Sequence, residues 1–107
     1  FWATWCAPCR KEMPLLNNYY LTRNTDQANV LGIAIDEIDQ VNSFVAELGI
    51  DFPVLVGQSE AYELMQTLGN TILTLPYTIV VNNEGLIIWS KSTEIKREDL
   101  EQIQQLQ

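Results

Sequence analysis

The sequence predicts an α/β domain in which a parallel half is followed by an antiparallel half. Three observations predict it. Val30-Leu31-Gly32-Ile33-Ala34-Ile35 is a continuous apolar run of strand length, as expected for a strand buried on both faces. Segments on either side of that run repeat their apolar residues at helical spacing. Tyr77 to Val81 and Leu86 to Trp89 are apolar, β-branched-rich runs joined through Asn82-Asn83-Glu84-Gly85, a hairpin signal.

The elements follow in chain order. Phe1 to Thr4 reads as the end of a strand entering a turn. Pro8 suits the first turn of a helix, where a missing N–H costs nothing. Met13, Leu15, Leu16, Tyr19 and Tyr20 carry that helix to about Arg23, and Pro14 inside it is expected to kink it. After the buried strand, Asp36 to Asp39 form an acidic turn. Val41, Phe44, Val45 and Leu48 give a second helix, with Gly49 where a C-cap belongs. Phe52 to Val56 is a short strand-like run. Ser59 is read as the cap of a third helix through Leu64, Met65 and Leu68, ending at Gly69. Beyond the hairpin, Glu94 to Leu106 sets Ile95, Leu100, Ile103 and Leu106 along one side of a last helix.

Composition bounds the function. The chain has 107 residues, enough for one domain and one core with little to spare. Its net charge of −8 repels phosphate backbones, so a nucleic-acid partner is not expected. The same charge reads as a solvated acidic surface or as steering toward a basic partner. No apolar run approaches the ~18 residues of a membrane span. The absence of histidine excludes a Cys–His nucleophile, a Ser–His–Asp triad and a His-containing zinc site. Arg10 after the second cysteine excludes a C-x-x-C-H haem attachment, and a Cys₄ zinc site would need a second cysteine pair. Redox chemistry is the main use left for the two thiols.

Those thiols are Cys6 and Cys9, a C-x-x-C pair behind an aromatic run. Two thiols at that spacing can close a small disulfide ring and reopen it. A cysteine at a helix N-terminus has its thiolate favoured by unpaired backbone N–H groups and by the macrodipole.

The segment Phe-Trp-Ala-Thr-Trp-Cys-Ala-Pro-Cys-Arg-Lys-Glu-Met-Pro resembles the active-site run of the TlpA/ResA-like thiol–disulfide oxidoreductases of the thioredoxin superfamily. A second stretch, Thr74-Leu75-Pro76-Tyr77-Thr78 ahead of the hairpin, is similar to that superfamily's cis-proline loop. The resemblance implies a thioredoxin-like three-layer α/β/α sandwich around a central mixed sheet, with an extra helical segment before the hairpin. It also implies catalytic roles for Cys6 and Cys9, and a cis peptide bond at Pro76. Substrate contacts would come from Trp5, Ala7, Pro8, Leu75 and Pro76. Cys6 would be the exposed nucleophile and Cys9 the resolving thiol. The Ala7-Pro8 dipeptide offers Cys6 no polar or cationic side chain, which favours a reductant over an oxidant. Arg10 and Lys11 are read as solvent-facing.

Exchange also needs a proton acceptor for the buried thiol. Relatives of this kind can use a carboxylate after the next strand, which makes Asp36 and Glu37 the candidates; the competing reading for both is an exposed turn. Trp5 either shields the thiol and binds peptide or packs partly into the core. Trp2, Trp89 and Tyr77 are expected as core or strand-face residues.

Implied partners are protein disulfides or dithiols and an upstream thiol electron donor, with no cofactor and a monomeric state. The implied location is periplasmic or otherwise extracytoplasmic, with a membrane anchor in an N-terminal segment. Relatives carry a full strand before Phe-Trp, so residues 1–107 are expected to be one domain lacking most of its first strand. That loss would leave two neighbouring strands unpaired and the isolated chain prone to aggregate. Two other functions remain open. One is a soft-metal module for Cu(I), with Met13 and Met65 as added ligands. The other is a binding module of the same fold without turnover.

Overall fold

The computed structural model describes residues 1–106. Helix α1 (Ala7–Thr22) begins with Pro8 in its first turn and runs unbroken through Pro14, where the sequence predicts a kink. Strand β1 (Gly32–Ile35) pairs in parallel with β2 (Val54–Gly57), and helix α2 (Ile38–Leu48) is the crossover between them. Gly49 ends α2 in the left-handed conformation, φ 65°, which glycine adopts without steric cost. Helix α3 (Ser59–Thr67) is capped by Gln58, not by Ser59, which is its first residue. The Gln58 N–H instead donates to Glu60 Oε1 at 3.1 Å.

Strands β3 (Thr78–Val81) and β4 (Ile87–Lys91) form the expected antiparallel hairpin, with a register shift between Val80 and Val81. In its turn, Asn82 Oδ1 accepts from the Glu84 and Leu86 N–H groups, and Gly85 has φ 83°. Helix α4 (Arg97–Gln105) starts later than the sequence pattern suggests, after Lys96, whose N–H donates to Asp99 Oδ2 at 2.7 Å. No helix among the described residues is long and apolar enough to cross a membrane.

Phe1 and Trp2 join the two hairpin-sized sheets. The Trp2 N–H donates to the Ile33 carbonyl and the Ile35 N–H to the Trp2 carbonyl, continuing the parallel half. On its other side Phe1 exchanges bonds with Tyr77: the Tyr77 N–H donates to the Phe1 carbonyl at 3.1 Å, and the Phe1 ammonium donates to the Tyr77 carbonyl at 2.7 Å. The mixed sheet implied by the resemblance is therefore present as two two-stranded sheets bridged at this one point. Where β1 and β3 run on past the bridge, a cavity of about 770 Å³ lies between them, lined by Phe1, Trp2, Glu12, Ile33, Ile79 and Leu100 among others.

Alternate residues of the sheet face opposite layers, as strand geometry requires. Trp2, Ala34 and Phe52 pack with Cys9 and Met13 of α1 and Val41 of α2. Val80 meets Tyr19 of α1 and Leu100 and Ile103 of α4. On the other face, Ile35 and Tyr77 pack against Ala61 and Met65 of α3. The result is three layers, with α1, α2 and α4 on one side of the sheet and α3 on the other. Gly32 permits the close approach in the first layer. A β-carbon there would lie 2.9 Å from the Phe52 ring.

Candidate active site

Cys6 and Cys9 form a disulfide at the start of α1, with Cα atoms 5.3 Å apart. Cys6 is the N-cap residue, and its Sγ accepts from the Cys9 N–H at 3.4 Å. The sulfur of Cys6 thus sits where the helix presents unpaired N–H groups, the position that stabilises a thiolate when the bond opens. Cys6 is 6% exposed and Cys9 fully buried, so Cys6 is the sulfur nearer solvent, although far less open than an exposed nucleophile would be. Trp5, Ala7 and Pro8 around it are exposed, Trp5 by 64%. Its neighbour Trp2 is instead core, as are Tyr77 and, in part, Trp89.

The Leu75–Pro76 bond is cis, as the resemblance implies. Pro76 is buried, and Leu75 packs on the cluster that contains Ala3, Cys6 and Cys9. The bonds between Phe1 and Tyr77 bring this loop to the disulfide-bearing segment.

The two acidic candidates differ in what they do. Asp36 is half-buried at the end of β1 and reaches Thr4, two residues ahead of Cys6. Its Oδ2 accepts from the Thr4 N–H at 2.8 Å and the Thr4 hydroxyl at 2.5 Å, and its Oδ1 from the Glu37 N–H at 2.7 Å. Partial burial pushes the Asp36 carboxyl up, but these three hydrogen bonds more than offset it and hold it below the usual carboxylate range. Asp36 is arranged to stay ionised and hold a turn. Glu37 is exposed and serves as the N-cap residue of α2 without a side-chain cap bond.

One buried carboxyl, Glu12, is not among the acids that the sequence points to. Glu12 is 3% exposed and lies one turn past Cys9, so the two are neighbours on the buried side of α1. Its Oε1 accepts from the Ile95 N–H at 2.9 Å. Burial raises its pKa from 4.5 to about 7, outweighing the opposite effect of that hydrogen bond. The signal was available, because positions 9, 12, 13, 16, 19 and 20 form an unbroken helical stripe into which Glu12 falls.

The methionines offered as soft-metal ligands are both core residues in separate clusters, Met13 on the face of the cysteines and Met65 beneath α3.

A helix-capping disulfide, a cis-proline loop packed beside it and a three-layer sandwich define a thioredoxin-like protein with a C-x-x-C redox site. The chain belongs to the AhpC/TSA family, whose model matches residues 1–90. It is 32% identical over 103 residues to the thiol–disulfide oxidoreductase ResA of Bacillus thuringiensis subsp. konkukian, covering 95% of this chain and 57% of that protein. ResA of Bacillus subtilis is 29% identical over 93 residues, covering 82% of this chain and 48% of its own length. The chain thus spans about half the length of the curated relatives it matches. Among solved structures, a thioredoxin-related protein from Neisseria meningitidis serogroup B superposes with a TM-score of 0.85 at 31% identity, covering 98% of this chain and 78% of that one. StoA from Bacillus subtilis gives 0.70 at 26% identity, covering 95% and 76%.

Proposed function

We propose that this domain is a thiol–disulfide oxidoreductase that reduces protein disulfides outside the cytoplasm. The observation that carries the reading is the disulfide at the N-terminus of α1, with only Cys6 reaching solvent and the cis-Pro76 loop packed alongside. In the reduced state the Cys6 thiolate attacks a substrate disulfide and forms a mixed disulfide. Cys9 then attacks Cys6 Sγ, closing the ring and releasing the substrate as a dithiol. Glu12, whose pKa of about 7 leaves it part ionised near neutrality, takes the Cys9 proton as that attack begins. Asp36 holds the turn that presents Cys6. Trp5, Ala7, Pro8, Leu75 and Pro76 form the surface that the substrate polypeptide meets.

An extracytoplasmic site of action is supported by a structural neighbour described as a secreted thiol-disulfide isomerase from Corynebacterium glutamicum, 26% identical. Substrates there would be envelope proteins such as apocytochromes, with an upstream thiol donor returning the electrons.

The test is the Cys6–Cys9 reduction potential, by equilibration with glutathione or dithiothreitol and with a double-serine control. A value near ~−270 mV supports a reductant, and one near ~−120 mV reverses the direction. Failure to cycle would remove the enzymatic reading and leave a non-catalytic thioredoxin-like module.

A further inference from the structure

From Leu64 to Asn83 the chain has no Asp, Glu, Lys or Arg, although its net charge is −8. The stretch from Phe1 to Cys9 is likewise free of them. Both segments that come together at the disulfide therefore carry no charged side chain on an otherwise acidic protein.

Within the first of these stretches, Asn70 is 1% exposed and commits its side chain to shaping the loop ahead of Pro76. Its Oδ1 accepts from the Leu73 N–H at 3.1 Å, and its Nδ2 donates to the Thr74 carbonyl at 2.6 Å and to Met65 Sδ at 3.4 Å. The loop so held keeps Leu73 at φ 56°, a left-handed conformation that a β-carbon disfavours. It also leaves Ile72 71% and Leu73 40% exposed, two apolar side chains in water within four residues of the cis-proline. A buried amide that fixes a disfavoured backbone and returns no core packing for these side chains is shaping a surface, not filling an interior.

We propose that Ile72 and Leu73 are specificity-determining residues, held outward by Asn70 to receive an uncharged, apolar side chain next to the attacked cysteine of the substrate polypeptide. The proposal rests on the oxidoreductase reading above. Recognition is by apolar burial, because neither segment offers a charged side chain to pair with an ionic neighbour. The Trp5 indole, next to Cys6 in the chain, is likewise exposed.

The test is single-turnover reduction by the chain in its dithiol form, prepared with dithiothreitol and freed of excess. In each turnover Cys6 and Cys9 lose two electrons and two protons and form their disulfide; the probe's S–S bond takes both and becomes two thiols. The probes are two short peptides, each closed by one disulfide and differing only in Leu or Asp beside the attacked cysteine. Hydroxyethyl disulfide is the small reference. The native chain is expected to favour the Leu peptide by about tenfold, the scale of one partly buried apolar contact. In a variant carrying Ile72→Ser and Leu73→Ser that preference collapses toward unity, while the rate with hydroxyethyl disulfide is unchanged. Asn70→Ala gives the same collapse with the reduction potential unmoved. Should that variant fail to fold, the two exposed serine substitutions still decide. A Leu preference retained in the double-serine variant overturns the proposal. A native chain that cannot reduce hydroxyethyl disulfide overturns the oxidoreductase reading itself.

Discussion

Replacing Glu12 by glutamine isolates a buried acid of α1. The folded-state pKa of about 7 lies above the ordinary value of 4.5. The folded chain therefore binds this proton more tightly than the unfolded chain. Its contribution to stability is fully present below pH 4.5 and is lost as pH rises through about 7. At about 1.4 kcal/mol per pH unit, the separation amounts to about 3 kcal/mol of stability lost by pH 8. The substituted amide keeps the side-chain volume and an oxygen for the Ile95 N–H, and it cannot ionise. Urea unfolding of the oxidised protein between pH 4.5 and 8.5 is the assay. The two proteins should be about equally stable at the acid end. The Glu12→Gln variant should be the more stable at pH 8, by about 3 kcal/mol, and titrating groups that do not interact with Glu12 cancel in the difference. Parallel curves, or a native protein that gains on the variant as pH rises, would refute the argument that burial governs this carboxyl.

Three further outcomes are expected. Cys9→Ser should accumulate a mixed disulfide between Cys6 and substrate, detectable by intact mass, whereas Cys6→Ser should accumulate none; equal trapping by both would remove the assigned order of attack. Asp36→Asn should cost about 1.5–3 kcal/mol at neutral pH, the range for hydrogen bonds to a charged group, measured by denaturant unfolding. Because the Asp36 pKa is depressed in the fold, that difference should hold above the ordinary value of 3.8 and shrink as pH falls below it. Gly32→Ala should destabilise by about 1–3 kcal/mol through contact with the Phe52 ring, and a neutral result would mean that β1 and β2 can shift apart locally.

Helices and strands are legible in the sequence wherever a side-chain period reports a buried face. The α1 stripe, the parallel strand, the Gly49 cap and the hairpin turn all fall in this class. Caps are less legible, because a helix start depends on which nearby polar group reaches the free N–H groups: Glu60 bonds the Gln58 amide, so Ser59 enters the helix instead of capping it. Pro14 reads as a kink because its ring clashes with the carbonyl four residues back, and the helix continues past it. Within the site, local spacing identifies the cysteines, and the residues before the hairpin identify Pro76. Glu12 and Asn70 escape notice for the same physical reason. Each is a polar residue whose burial is decided by segments far along the chain or by a folded loop: Ile95 in one case, Leu73 and Thr74 in the other. A polar residue on an apolar stripe is a sequence-visible anomaly, but only the structure says what satisfies it.

The direction of exchange follows from how the reduced form is stabilised. Strong disulfide oxidants owe their potential to a reduced form whose thiolate is well supported, and reductants lack that support. Here the helix N-terminus favours the Cys6 thiolate, but Ala7 and Pro8 add neither charge nor hydrogen-bond donor beside it. Arg10 and Lys11 are the nearby cations in sequence, yet both are exposed, where water and salt screen their field. The arrangement withholds stabilisation from the Cys6 thiolate in two ways and grants it in one. That balance supports the proposed role as a disulfide reductant, a dithiol that gives up its electrons readily.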